Sequence, residues 1–415
     1  MRVTLKEMEK ETLAQGREWT RQRLEQRLQE EADFIAAVCP QSGLVLKRQQ
    51  RTSFTLMTVA GSVTVKATRG YSTATQSWVC PVREHWGLAK WQRLSPEFEE
   101  RLAYSATQVG SFEKAAAMSG CWGSPISDDA LHALVQRSAA RSREIGLPPP
   151  PPPKTQQPPY SLVVMLDGWM ARERGEAWGL PPAPSPQERV AWREVKSAVV
   201  YRVEDRVEKA SGRGMLIEKK VVAVAPGTDV VDFGAIVQEQ AMRCGLAAAR
   251  EVFVVADGAL WIWRLIEDRF ATATKTLDFY HGAEHLWALA HHLHPGVAEK
   301  AKAWIQPLLH QLRHEAGHRV IDTLGKLLLD NASTHAADPD LEREVQYFLA
   351  HRDHLDYAGV AARSAPIGSG SMESACSQFQ DRLKRRGQFW SPQGLANMLA
   401  LDVIAKNNAL SYLWN

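Results

Sequence analysis

Three acidic residues stand where acids are out of place. Asp167 closes the apolar run SLVVMLDG (161–168), and Asp257 closes a second such run, EVFVVADG (251–258). Glu373 opens a helical stretch just after a Gly-Ser-Gly turn, in PIGSGSMESACSQFQDRLKRRGQFW. A charge on an apolar strand costs several kcal/mol unless it is paired or binds metal. Two such aspartates together repel, and a divalent cation resolves the conflict. The chemistry this predicts is phosphoryl transfer by two ions about 4 Å apart, one activating the attacking oxygen and one stabilising the leaving oxygen. Asp167, Asp257 and Glu373 are the expected catalytic residues and metal ligands. Hard oxygen donors select Mg²⁺ or Mn²⁺, so zinc is not expected. The helix of Glu373 ends in Arg382, Lys384, Arg385 and Arg386, with Trp390 beyond, a set suited to a phosphate backbone and an unstacked base. Blander readings exist: an Asp-Gly pair ends many strands in a turn, and a basic helix end is favoured by the macrodipole.

The elements around these residues decide whether the carboxylates can meet. SLVVMLDG reads as a buried strand, VKSAVVYRVE (195–204) and KKVVAVAPG (219–227) as two more in an antiparallel meander, and 231–246 as a helix. EVFVVADG, a helix over 259–270 and the strand ATKTLDFY (273–280) follow, and the remainder is mostly helical. The order β-β-β-α-β-α-β-α is that of an RNase H-like mixed sheet, an α/β fold with a large helical insertion over about 282–366. In that arrangement the first and fourth strands are neighbours, so Asp167 and Asp257 come together.

Upstream, LPPPPPPKTQQPPY (147–160) contains six consecutive prolines, which favour an extended polyproline II spacer. It divides the chain into 1–147, a linker over 148–160, and a catalytic domain over 161–415. The first part is expected to be α+β. A polar helix over Leu5–Ala37 precedes strands Ser53–Ala60 and Val63–Thr68, joined at Gly61-Ser62 as a hairpin. Ser95-Pro96-Glu97 starts a helix, with Ser as cap and Pro at the first position. FEKAAAMSG and ISDDALHALVQRSAARS then read as helix, break and Ser-capped helix. That pattern is compatible with a DNA-binding helix-turn-helix and equally with any α-helical pair.

Composition sets the outer limits. The 415 residues are 45% hydrophobic and 23% charged, ordinary for globular domains, and the net charge of +3 neither demands nor excludes nucleic acid. Five scattered cysteines, Cys39, Cys80, Cys121, Cys244 and Cys376, form no CxxC pair and point to a reducing compartment. The charged N-terminus lacks an apolar signal core, and no run of residues suits a membrane span. A cytoplasmic, nucleoid-associated bacterial protein without membrane partners is expected.

The stretches VADGALWIWRLIEDRF, TKTLDFYHGAEHLW, YFLAHRDHLDYAGVAARSAPIGSGSMESA and RLKRRGQFWSPQGLANMLAL occur in this order. Together they closely resemble the DDE transposases of the ISKra insertion-sequence group, relatives of Mutator-like transposases. WREVKSAVV is similar to that group's second strand, and the resemblance covers most of 161–410. It implies a DDE triad at Asp167, Asp257 and Glu373, with Asp278 and His281 as the supporting Asp-x-x-His pair. It also implies strand cleavage and transfer on double-stranded DNA, at terminal inverted repeats and target sites, by a homo-oligomer. Relatives often carry paired cysteines around the hairpin. Here CPQSG (Cys39–Gly43) and CPVRE (Cys80–Glu84) each lack one, so a hairpin without zinc is expected.

Two rival readings follow from the same residues. HGAEH (His281–His285) fits the pattern of inverted zinc peptidases, with His281 and His285 as ligands and Glu284 as base. The eroded cysteine pairs suit a transposase-derived DNA-binding protein that no longer catalyses.

Overall fold

The computed structural model describes residues 3–146, 159–181, 186–208, 214–315, 317–334 and 338–414. The chain divides into two compact units, Met1–Ile145 with Ala409–Asn415, and Gly146–Asn408. The proline run Pro148–Pro153 lies outside the described residues.

The first unit opens with α1 (Leu5–Phe34). Its capping box is complete: Thr4 accepts from the Glu7 N–H, and the Glu7 carboxylate accepts from the Thr4 N–H at 2.7 Å. A three-stranded antiparallel sheet follows, with β1 (Lys47–Thr58), β2 (Gly61–Ser72) and the short β3 (Ser77–Val79) side by side in that order. The hairpin turns at Val59 and Ala60, two residues before the expected Gly61-Ser62. Thr58 and Gly61 are the last paired rung, and the Thr58 hydroxyl closes the turn on the Gly61 carbonyl at 2.8 Å. Gly61, at φ +112°, takes up the sharp re-entry that other residues resist.

Helices α2 (Pro81–His85), α3 (Pro96–Gln108), α4 (Phe112–Cys121) and α5 (Asp128–Ile145) complete the unit. Ser95, Ser111 and Ser127 cap α3, α4 and α5 by accepting backbone N–H groups of their first turns. The expected helix, break and capped helix is therefore α4 and α5. The C-terminal residues depart from the expected 161–415 domain. Leu410 and Leu413 are buried, and the Trp414 indole donates to Glu99 at 3.1 Å, which joins the tail to α3.

The second unit is built on a five-stranded mixed sheet. Its elements are β4 (Ser161–Arg174), α6 (Pro186–Arg189), β5 (Val190–Arg202), the ribbon strands β6 (Arg206–Glu208) and β7 (Gly214–Leu216), β8 (Lys220–Val224), α7 (Val230–Arg243), β9 (Glu251–Ala256), α8 (Leu260–Arg269) and β10 (Thr274–Leu277). The strands lie in the order β10-β9-β4-β5-β8. β4 pairs antiparallel to β5, and β5 antiparallel to β8, whereas β9 and β10 run parallel to β4. The first and fourth strands of the sheet are thus neighbours, as the sequence order requires.

Several strand bounds differ from expectation, and two of the differences bear on the site. β4 does not stop at Asp167-Gly168 but continues to Arg174, because β5 starts early, at Val190, and pairs with it throughout. β10 stops at Leu277, because Asp278 accepts the Tyr280 N–H at 2.8 Å and caps a helix instead. The helical part comprises α9 (Phe279–Leu293), α10 (Ala298–His314), α11 (Gly317–Thr334), α12 (Pro339–Ala350), α13 (Tyr357–Ala362), α14 (Gly370–Leu383) and α15 (Pro392–Lys406). Among the described residues no helix is long and apolar enough to cross a membrane.

One core joins the sheet to the insertion. Leu162, Val164, Val254 and Ile262 from the sheet layer belong to the same buried cluster as Leu286, Ile305, Val345 and Phe348 from the helices. At its edge the His354 ring stacks flat on Trp263, with centroids 4.1 Å apart. Burial pulls the His354 pKa down from 6.5 to about 4 and lowers that of His351 as well. The unfolded chain then binds protons first, so stability present above pH 6.5 is lost as the pH falls toward 4. The melting temperature is expected to drop between pH 7 and pH 5, and to drop less in His354→Phe. Equal slopes for the two proteins would remove His354 as a cause.

Candidate active site

Three parallel strands deliver three aspartates to one level. Leu166 of β4 pairs with Ala256 of β9, which pairs with Leu277 of β10, and these are the last rungs of both ladders. The next residues are Asp167, Asp257 and Asp278. Asp257 and Asp278 sit just past the carboxyl ends of β9 and β10, the edge where open α/β sheets present their ligand sites, and Asp167 lies at the same level within β4, where its parallel pairing ends.

Each carboxylate is held by its own local structure. Asp167 accepts the Gly168 N–H at 2.6 Å and the Cys376 thiol at 3.5 Å. Burial raises its pKa and the Asp257 charge adds to the rise, against the pull of the Gly168 N–H. Asp257 accepts the Ala259 N–H at 2.9 Å, which closes the turn into α8. Gly258 is required there, because a Cβ would fall 2.4 Å from Cε2 of Tyr347 on α12. Asp278 is fully buried at the start of α9 and pairs with His281 Nδ1 at 3.8 Å. Burial works against its charge, but His281, Ser369 and the Tyr280 N–H outweigh it and hold its pKa below normal. The Asp278 carboxylate in turn lifts His281 to about 9, so its imidazole is cationic at neutral pH.

Glu373 reaches this group through a serine. The Ser369 hydroxyl donates to Asp278 and lies 3.1 Å from Oε1 of Glu373, one helical turn ahead on α14. The Phe279 N–H binds the Ile367 carbonyl at 3.0 Å, which ties the loop before α14 to the start of α9. Gly368 permits the approach, since a Cβ would fall 2.7 Å from the Tyr280 ring. Asp167 and Glu373 line a cavity of about 570 Å³ with Cys376, Gln380, Lys384 and Arg385. Burial, together with Asp167 and Glu373, pushes the Cys376 thiol far up, so it stays a neutral donor.

The residues expected to bind DNA separate into two groups. Lys384 and Arg385 line the cavity, and Arg386 is exposed beside them. Arg382 and Trp390 are interior instead, 3% and 8% exposed. Arg382 falls one turn after Phe379, on the α14 stripe that packs inward, with its guanidinium 5.5 Å from the Trp390 ring centroid. The Trp390 indole donates to the Leu383 carbonyl at 2.8 Å. These two side chains anchor the loop after α14 and present nothing to a ligand. Sequence reasoning missed Ser369, Cys376 and Tyr347. The first two carried a signal, lying four residues before and three after Glu373, on its helical face.

The donor set suits a hard cation in kind: carboxylate oxygens beside a protonated thiol. Among the described residues, however, no three His, Cys, Asp or Glu side chains stand close enough to hold a metal ion. Asp167 and Glu373 line one cavity, and the Asp257 charge acts on Asp167. The HGAEH segment does not converge either. His281 turns to Asp278, while His285 pairs with Glu344 at 2.6 Å and stacks on Tyr347. In the first unit Cys39 is buried and Cys80 caps α2.

The model of the uncharacterised protein family UPF0236 matches residues 2–144 and 236–411. The chain belongs to that family. Asp257, Asp278, His281 and Glu373 fall within the span of UPF0236 that matches, and Asp167 falls between the two matched segments. No curated protein matches the chain. Among solved structures, it is similar to a chain of the Drosophila P element transposase strand transfer complex, at 9% identity and a TM-score of 0.37. That alignment covers 75% of this chain and 93% of the other.

The raised pKa of Asp167 carries a stability consequence. The folded state binds its proton more tightly than the unfolded chain, so stability falls as the pH rises from 3.8 through the raised value. At pH 7 the whole cost is present. Asp167→Asn keeps an oxygen for the Gly168 N–H and removes the charge, and is expected to raise the melting temperature in chelator at pH 7. An unchanged or lower melting temperature would contradict the buried, repelled carboxylate.

Proposed function

We propose that this protein is a DDE-type DNA transposase with an RNase H-like catalytic core. In this reading Asp167, Asp257 and Glu373 would hold two Mg²⁺ or Mn²⁺ ions, which would supply the charge stabilisation for cleaving and joining DNA strands at the ends of an insertion sequence. One observation carries the reading. Asp167 and Asp257 each follow the last rung that pairs their two parallel strands, and α14 brings Glu373 to the cavity that Asp167 lines. The sheet order, with its antiparallel meander followed by two parallel strands, supports it.

When bound, such ions stabilise the attacking and leaving oxygens of an in-line displacement at phosphorus. The chain's own residues do the rest. Asp167, raised by burial, gains most from a cation. The Cys376 thiol orients Asp167, and Ser369 orients Glu373. His281, cationic at neutral pH, keeps Asp278 ionised, and Asp278 fixes Ser369. Lys384, Arg385 and Arg386 take phosphates of the strand, while α5 is the element expected to read terminal repeats in a major groove. The partners in this reading are double-stranded DNA ends, target DNA and further copies of the chain, in a bacterial nucleoid. A second reading, a transposase-derived DNA-binding protein without catalysis, rests on the incomplete cysteine pairs at CPQSG and CPVRE.

Nicking of duplex DNA that carries the element's own terminal repeats separates the two readings. Mg²⁺ is expected to support nicking by the natural protein and to raise its melting temperature. Asp167→Asn, Asp257→Asn and Glu373→Gln should each lower the rate at least about a hundredfold, as loss of a direct ligand exceeds the loss of a supporting contact. DNA binding should survive. Nicking at the natural rate in any one variant removes that residue from the site. Binding without nicking in Mg²⁺ or Mn²⁺ leaves the second reading.

A further inference from the structure

Beyond the level of Asp167, β4 and β5 continue as a two-stranded ribbon, Trp169–Arg174 against Val190–Val195. Arg172 and Trp192 are cross-strand partners on it. From this pair a ladder of alternating cations and rings extends. Lys384 Nζ lies 5.4 Å from the Trp192 ring centroid. Arg172 Cζ lies 5.9 Å from Trp192 and 5.2 Å from Phe389. The Phe389 ring is 4.9 Å from Trp178, which carries Arg174 at 5.5 Å. The ladder is fixed from below, since Arg172 Nη2 donates to the carbonyls of Lys384 (3.0 Å) and Arg385.

Packing alone does not account for this arrangement. Trp192 is 53% exposed and Trp178 is 39%, whereas Trp169 and Trp390, which hold the same strands, are 4% and 8%. A tryptophan used only as filler is buried, and an exposed ring on a rigid support is a stacking surface. Among the described residues of this unit, the ion pairs involve none of Arg172, Arg174, Lys384, Arg385 and Arg386. Lys384 and Arg385 also line the cavity of Asp167 and Glu373, so the ladder begins where the candidate active site ends.

We propose that this platform holds unpaired nucleotides of a DNA strand whose phosphodiester lies at the carboxylates, with bases stacked on Trp192 and Trp178 and phosphates along the basic side chains. The proposal rests on the phosphoryl-transfer reading of the cavity. Flat rings joined by anionic links match a surface on which rings and cations alternate. A base inside a duplex has both faces covered, so an exposed indole selects strands that have left the helix. Stacking tolerates any base, so the platform is indifferent to sequence.

The test uses the full chain in chelator, so that cleavage plays no part. Binding is measured to a blunt duplex and to the same duplex with an eight-nucleotide single-stranded tail, across a range of salt. Wild-type protein is expected to prefer the tailed duplex, with tryptophan fluorescence quenched on binding. Trp192→Ala should weaken tailed-duplex binding about 5- to 150-fold, the loss of stacking on one base, and leave blunt-duplex binding and the salt slope unchanged. Trp192→Tyr should restore most of the preference, which a merely unfolded variant would not. Joint replacement of Lys384, Arg385 and Arg386 by Ala should instead flatten the salt dependence by up to about one unit per phosphate lost.

The proposal is overturned if Trp192→Ala binds the tailed duplex as tightly as wild type, or loses both duplexes equally. It is also overturned if Trp192→Ala only dissociates a complex of protein chains. Failure of the catalytic reading is distinguishable. Selective tail binding without Mg²⁺-dependent nicking keeps the platform and discards the catalysis, and nicking with an indifferent Trp192→Ala discards the platform alone.

Discussion

Like charges at one level of three neighbouring strands are the constraint around which the second unit is organised. The rungs Leu166–Ala256 and Ala256–Leu277 close both parallel ladders, and each of the three strands then meets an aspartate. Hydrogen bonding and burial of the apolar runs set that register, with no regard for the charges that follow. The surrounding structure manages the result. Gly168 and Ala259 donate backbone N–H groups to Asp167 and Asp257, and His281 and Ser369 hold Asp278. What remains uncompensated is concentrated on Asp167, whose pKa burial and Asp257 push up.

The helical insertion acts on the same spot from outside the sheet. Tyr347 of α12 covers Gly258, the residue after Asp257, and stacks on His285, which is held by Glu344. Desolvation and the acids Asp257, Asp278 and Glu344 raise the Tyr347 phenol, so it stays neutral beside them. Asp278 and His281 open α9, so the first helix of the insertion starts inside the site. The chain His281, Asp278, Ser369, Glu373 then runs from that helix to α14. Packing in the insertion and the position of Glu373 are coupled by hydrogen bonds, not by proximity in sequence.

The loop after α14 shows how one basic segment is divided between structure and surface. Arg382 and Trp390 turn inward, and Trp390 adds itself to the edge of β4 through backbone bonds with Arg172 and Arg174. Burial brings Arg382 down to about 10, a cost offset by its position over the Trp390 ring and near Asp402. Once those two are anchored, Lys384, Arg385 and Phe389 have fixed places beside the cavity and the ribbon.

Much of this was determined by the sequence alone. The apolar runs specify buried strands, and their order specifies which strands become neighbours, because hydrophobic pattern and chain connectivity are local properties. Asp167 and Asp257 stood out in the sequence because charge at the end of an apolar run is costly, and Glu373 because it opens a helix after a Gly-Ser-Gly turn. The Ser caps of α3 and α5 were legible because capping acts within four residues. Tertiary structure decided what depends on distant partners. β4 runs past Asp167 only because β5 pairs with it, and ATKTLDFY divides at Asp278 because capping a helix there satisfies the Tyr280 N–H. Arg382 and Trp390 looked like their exposed neighbours in sequence, and only the packing of α14 on the sheet turned them inward. The ladder of Trp192, Arg172 and Phe389 joins segments nearly two hundred residues apart. No local pattern encodes such a contact, because it exists only where two strands and a loop are brought side by side.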